Sequence, residues 1–267
     1  MTCFVCATCG VQLAPTDHAP ERCPVCDDER QYVGWSGQRW TTLEELRKKH
    51  RNELRGDLSL LGVGTEPSFA IGQRALLIPS PGGNVLWDCV TVIDDGAVEE
   101  LRKRGGVRAI AISHPHYYSS LVEWSRALDA PVYLHSADAR WVMRPDSRIE
   151  HWSGETKSLW DGMTLVRVGG HFDGNTVLHW PAGADGKGAM FCGDMPQVAQ
   201  DRRYVSFMYS YPNYVPLSAR EVERIVQALE PFAFDRIYGA WWDRNVESGA
   251  KDAVRRSAER YIDKLRS

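Results

Sequence analysis

The residues whose types and spacing suit chemistry fall into two sets. The first is Cys6-Ala-Thr-Cys9-Gly10 with Cys23-Pro24-Val25-Cys26, two CxxC knuckles close together near the start of the sequence. A thiolate pair on a tight turn supplies half of a tetrahedral site, and a second pair completes it. Gly10 provides the permissive backbone such a turn wants. Cys3 stands at the same spacing from Cys6, so a Cys3/Cys6 pair is also open, although Gly10 favours Cys6/Cys9. The second set is His114 and His116 on either side of Pro115, with His171 and Asp194 much further along. Three imidazole nitrogens and one carboxylate oxygen match a single four- or five-coordinate zinc.

Each member of the second set needs an element to hold it. Val107–Ile112 is a short apolar run that reads as a strand buried on both faces, and it leads straight into His114. If the chain stays extended there, His114 and His116 share a face. TLVRVGG (164–170) reads as a strand that delivers His171 in a glycine-flanked loop, and AMFCGD delivers Asp194. NTVLHW is a further strand between them, with the turn GADGKG after it. His135, His151 and His179 have no partner at ligand spacing and are left outside the site. Cys89 and Cys192 read as buried strand cysteines.

Around these, Thr42 is placed as an N-cap with Glu45 completing a capping box, for a helix running to about Glu53. Residues 58–95 read as short strands separated by turns, including Ser80–Gly83. Helices are expected over about VEELRKR before Gly105, over 119–130, 218–229 and 249–265, and PVYLH (131–135) and FDRIYGAWW carry further strands. A meander followed by strands alternating with helices makes the main domain a mixture of α and β. The expected organisation is a ribbon at 1–35, a linking helix at 36–56 and a main domain at 57–267.

Bulk properties narrow the function classes. A length of 267 residues is enough for a proper core, and a net charge of −3 argues against nucleic acid or an anionic membrane as partner. The first residues carry no basic segment followed by an apolar one, so no secretory signal is expected. With five of the seven cysteines within the first 26 residues, metal binding in a reducing cytoplasm is the expectation rather than disulfides. So small a knuckle segment draws its folding energy from the metal. It resembles a zinc ribbon or a rubredoxin-like iron site, so iron stays open there. It is read as structural or as a surface for a protein partner.

The order strand-HxH, then GGHxxG, then xxGD, with hairpins and the NVLWD segment before it, resembles the metallo-β-lactamase superfamily over roughly residues 57–245. The resemblance implies an α/β chain, an αββα sandwich with a small N-terminal zinc ribbon. It also implies His114, His116 and His171 as ligands of the first metal and Asp194 as the carboxylate ligand. The sequence departs from the family where the second metal would bind. Tyr118 and Ser119 replace the aspartate and histidine of the HxHxDH motif, and the late histidine is absent from Tyr238-Gly-Ala-Trp241-Trp242. One ion is therefore expected in this site, zinc by preference and iron as the alternative.

These features lead to an expected metal-dependent hydrolase using one zinc-bound water on a small ester, lactone or amide with an aromatic or hydrophobic part. Asp194 acts as fourth ligand or as the base that orients water, and Tyr118 as a phenol able to donate to developing charge. Tyr209, Trp241 and Trp242 are expected to contact substrate, with Tyr204, Phe207, Tyr211 and Tyr214 in the same aromatic stretches. The alternatives are a non-catalytic binding or scaffold protein with a degenerate site, and a redox protein with an iron ribbon. A homo-oligomer is compatible with either.

Overall fold

Local sequence sets the elements, and pairing across the chain selects among them. The computed structural model describes residues 1–267, which divide into two compact units. The first comprises Met1–Leu134 and Ala139–His151, the second His135–Asp138 and Trp152–Ser267.

In the first unit the cysteine knuckles are tied by a two-strand ladder, β1 (Val5–Cys6) with β2 (Trp40–Thr41), so the knuckle module extends past residue 35. The second knuckle is a single helical turn, α1 (Pro24–Asp27), with Pro24 at its first position. Helix α2 (Leu43–Arg47) begins as expected, with Thr42 Oγ1 accepting from the Glu45 N–H. It stops well before Glu53. Residues Arg51–Asp57 instead form strand β3, which pairs along its whole length with β4 (Leu60–Glu66). The charged RNELRGD stretch lies along a largely exposed edge, where polar side chains are tolerated in a strand.

Strands β5 (Ala75–Ile78), β6 (Val85–Trp87) and β7 (Ala109–Ala111) are buried throughout and occupy the middle of a seven-stranded sheet. The order runs β3 to β9, closing with β8 (Val132–His135) and β9 (Ile149–Trp152). Its first half is an antiparallel meander. The pairs β6–β7 and β7–β8 are parallel, and each crossover carries a helix, α3 (Asp95–Lys103) and α4 (Leu121–Leu128). Asp94 caps α3 by accepting from the Ala97 N–H. Arg74, almost fully buried, is paired with Asp57.

The second unit has a six-stranded sheet in the order β10 (Thr156–Ser158), β11 (Thr164–Arg167), β12 (Thr176–Trp180), β13 (Ala189–Phe191), β18 (Arg236–Tyr238), β19 (Asn245–Val246). A left-handed turn labelled α5 (Gly183–Gly186) joins β12 to β13. Between β13 and β18 lie two hairpins, β14 (Gln197–Val198) with β15 (Val205–Ser206), and β16 (Met208–Ser210) with β17 (Val215–Pro216). Helix α6 (Ala219–Leu229) buries Val222, Ile225 and Leu229, and α7 (Ala250–Arg266) buries Ala253, Val254 and Ala258 against the same apolar core. That spacing is the helical period. No helix is long and apolar enough to cross a membrane.

Candidate metal centres

The knuckles converge as the spacing requires. Cys6, Cys9, Cys23 and Cys26 are buried, and their sulfurs all lie within 4.8 Å of one another. Cys6 Sγ is 3.6 Å from Cys26 Sγ, and Cys9 Sγ is 3.7 Å from Cys23 Sγ. A tetrahedron of zinc–sulfur bonds of about 2.3 Å has edges of about 3.8 Å, so these two separations match edges of such a cage. Cys3 stands outside the group and is partly exposed. Contact with the Cys23 and Cys26 thiols pulls the Cys6 thiol far below its ordinary range, whereas burial pushes Cys9 far above it. A cation is what allows all four to be thiolates together. Gln38 Nε2 donates to Cys6 Sγ at 3.2 Å.

His114 and His116 leave β7 by a route the sequence did not suggest. The extended path ends at His114 (φ −166°, ψ 169°), and Pro115–Tyr117 form a 3₁₀ turn. Pro115 occupies the first position of that turn, where its missing N–H costs nothing. The two imidazoles thus come together through a turn rather than by strand alternation, with ring centroids 5.2 Å apart. His114 Nδ1 lies 2.9 Å from Ser113 Oγ, and the Ser113 N–H donates to Asp88 Oδ1 at 2.7 Å. Nε2 of His114 and Nε2 of His116 are buried and make no hydrogen bond.

His171 follows Gly170, whose φ of +85° and close neighbours Leu217 and Ile225 leave no room for a side chain. His171 Nδ1–H donates to the Tyr209 carbonyl at 2.6 Å, which leaves Nε2 as the ligand atom. That Nε2 lies 3.6 Å from Asp194 Oδ2. A tetrahedral zinc with bonds of about 2.0–2.1 Å separates its N and O ligands by about 3.4 Å, so this pair has ligand spacing. Asp194 comes three residues after β13. Its other oxygen, Oδ1, accepts from Gln197 Nε2 at 3.1 Å, and the Tyr211 hydroxyl lies within hydrogen-bond distance of the Asp194 carbonyl (3.0 Å) and the Ser206 carbonyl (3.1 Å). Burial first, then the Asp194 charge, hold the Tyr211 phenol well above its ordinary pKa. The ligand atoms of His114, His116, His171 and Asp194 all lie within 4.8 Å of one another.

The remaining expected residues divide. Tyr118 is buried and lines a narrow cavity with Val11 and Gln12 of the knuckle module and Leu121, Val122 and Arg144. The adjoining Ser119 has φ +46°, and its carbonyl accepts from the Gln12 N–H at 2.9 Å. Tyr209 is partly buried and serves His171 through its backbone carbonyl; Trp241 and Trp242 are half-buried. Phe207 is core, Tyr204 is covered by the Arg260 guanidinium, and Tyr214 is exposed. His135 Nε2 bonds the Gly154 carbonyl and His179 Nε2 the Ala233 carbonyl, so both imidazoles are engaged away from any ligand role. Cys89 and Cys192 are buried, each just beyond a strand end. The sequence reading missed Asp88, Ser113 and Gln197, and named Tyr211 only as one of the aromatic residues expected near the site rather than as a partner of the Asp194 carbonyl. A short motif search has no pattern for a side chain that acts on a ligand rather than on the ion.

Comparison with known proteins places this architecture. No family model matches the chain. Among solved structures, DIM-1 metallo-β-lactamase superposes with a TM-score of 0.60 at 13% identity, covering 80% of this chain and 98% of that one. The metallo-β-lactamase FIM-1 from Pseudomonas aeruginosa, in a mono-zinc form, gives 0.57 at 14%, covering 78% and 95%. The fold is therefore that of the metallo-β-lactamases. At the level of sequence the chain is 49% identical over 270 residues to the uncharacterized protein YmaE of Bacillus subtilis (strain 168), covering 100% of this chain and 98% of that protein. The chain belongs to the YmaE family.

Proposed function

We propose that this chain is a mononuclear metal-dependent hydrolase of a small ester, lactone or amide with an aromatic or hydrophobic part. Zinc is the ion favoured for His114, His116, His171 and Asp194, and a second, structural zinc for the four cysteines. The observation that carries this reading is the convergence of three imidazole nitrogens and one carboxylate oxygen within 4.8 Å. A mixed nitrogen and oxygen set suits zinc, and a thiolate set suits zinc or iron. FIM-1 in its mono-zinc form supports a single ion on this fold. When bound, such an ion supplies a Lewis acid and a nucleophilic water near neutral pH.

The chain's own residues do the rest. The Tyr209 carbonyl fixes the His171 tautomer, and Ser113 orients His114. Asp194 would serve as the fourth ligand or, detached from the ion, as the base that orients the attacking water. Trp241 and Trp242 follow β18, which runs parallel to β13, the strand that delivers Asp194, and this neighbourhood supports them and Tyr209 as substrate contacts. Tyr118 is assigned to packing, supported by its place beside Val11 and Gln12.

The test is a panel of aryl esters, lactones and anilides offered to the wild-type chain and to His116→Ala. Turnover by the wild type that His116→Ala abolishes while the cysteine-bound metal is kept supports the reading, and Tyr118→Phe then leaves kcat unchanged. A metal-loaded wild type inert across the panel favours the binding-protein alternative.

A further inference from the structure

In Asp194 the two carboxylate oxygens have different neighbours. Oδ2 faces His171 Nε2 at 3.6 Å, the ligand side. Oδ1 accepts from the Gln197 side-chain amide at 3.1 Å. Gln197 opens β14, and its register partner in β15 is Ser206. The Tyr211 hydroxyl reaches both the Asp194 and the Ser206 carbonyls, which pins the backbone of the ligand to the hairpin that carries the amide. The amide N–H holds Oδ1 by one of its lone pairs and so fixes the rotation of the carboxylate that turns Oδ2 toward His171 Nε2.

We propose that Gln197 is a positioning residue that holds Asp194 with Oδ2 toward His171 Nε2 and so fixes which of its two oxygens serves as the ligand. This rests on the reading of His114, His116, His171 and Asp194 as a metal site. It adds a residue outside the four ligands to what holds that site in shape.

Cobalt(II) titration of the metal-depleted full chain tests the proposal, with the cysteine-bound cobalt, seen by its thiolate charge-transfer band, as an internal report that the chain is folded. The wild type takes one cobalt in the histidine site. Gln197→Leu, which removes the donor, weakens that cobalt by about 10–100-fold and alters its visible d–d spectrum as the freed carboxylate changes its mode of coordination. Gln197→Glu, which replaces the donor with a charged acceptor beside Oδ1, likewise weakens that cobalt and alters its spectrum. Wild-type affinity and spectrum in both variants, with the thiolate band intact, overturn the role of Gln197 and leave the metal site standing. A wild type that binds cobalt only at the cysteines overturns the metal site and this inference together.

Discussion

Replacing Gly10 with alanine tests how the cysteine knuckle is seated. Gly10 has φ +81°, and a Cβ built there falls 2.3 Å from Thr91 Oγ1 and 3.1 Å from Ala70 Cβ. Thr91 is buried, and its hydroxyl donates to the Gly10 carbonyl at 3.0 Å. Any other Thr91 rotamer takes the hydroxyl off the Gly10 carbonyl, and one of the two puts the methyl in its place, because a β-branched side chain has two heavy atoms on Cβ. The clash therefore cannot be relieved without losing the hydrogen bond. The left-handed conformation costs alanine about 1–2 kcal/mol, and the lost bond and displaced packing cost about 1–2 kcal/mol more. A total of about 2–4 kcal/mol corresponds to a fall in Tm of about 4–7 °C for a chain of this size. Gly37 is an internal control. It has φ +80° in the same module, and a Cβ there meets nothing within 4 Å. Gly37→Ala should show the backbone cost alone. The assay is a thermal melt of both variants, paired with the rate at which a chelator removes the cysteine-bound metal. Gly10→Ala should melt lower and release metal faster than Gly37→Ala. Equal melting points for the two variants would refute the packing argument.

Two further outcomes follow from buried groups. Asp57→Ala removes the carboxylate paired with the buried Arg74 guanidinium and should cost about 3–5 kcal/mol in urea unfolding, while the double variant Asp57→Leu/Arg74→Met should recover most of it; a single variant as stable as the wild type would contradict the pairing. Burial holds the His179 pKa below its ordinary value despite the hydrogen bond to the Ala233 carbonyl. Below about pH 6.5 the unfolded chain takes up a proton that the folded imidazole resists, so stability falls as pH drops. The wild type should lose more stability than His179→Gln between pH 7.5 and 5.5, and parallel curves would show that His179 titrates freely in the folded chain.

What the sequence revealed depended on how local each cause was. The cysteine cage was legible because chelation by CxxC turns acts over a few residues, and the cap at Thr42 because a side chain bonds a backbone N–H three residues on. Strand β3 was misread as helix because RNELRGD has no apolar alternation; only its ladder with β4, Arg51↔Glu66 to Asp57↔Leu60, makes it a strand. The histidine pair was found by type, while its 3₁₀ turn was not, since Pro115 suits a turn start as well as extended chain. The four metal-site ligands carry a recognisable order. Gln197, Tyr211 and Ser113 do not, because their role is defined only by where Asp194 and His114 come to lie in the folded chain.

The most direct measurement is elemental analysis of metal per chain for the purified wild type and for His116→Ala. With one ion held by four cysteines and one by His114, His116, His171 and Asp194, the wild type should carry two ions and the variant one. Three ions in the wild type, or two in a folded His116→Ala, would contradict a single ion held by those four side chains.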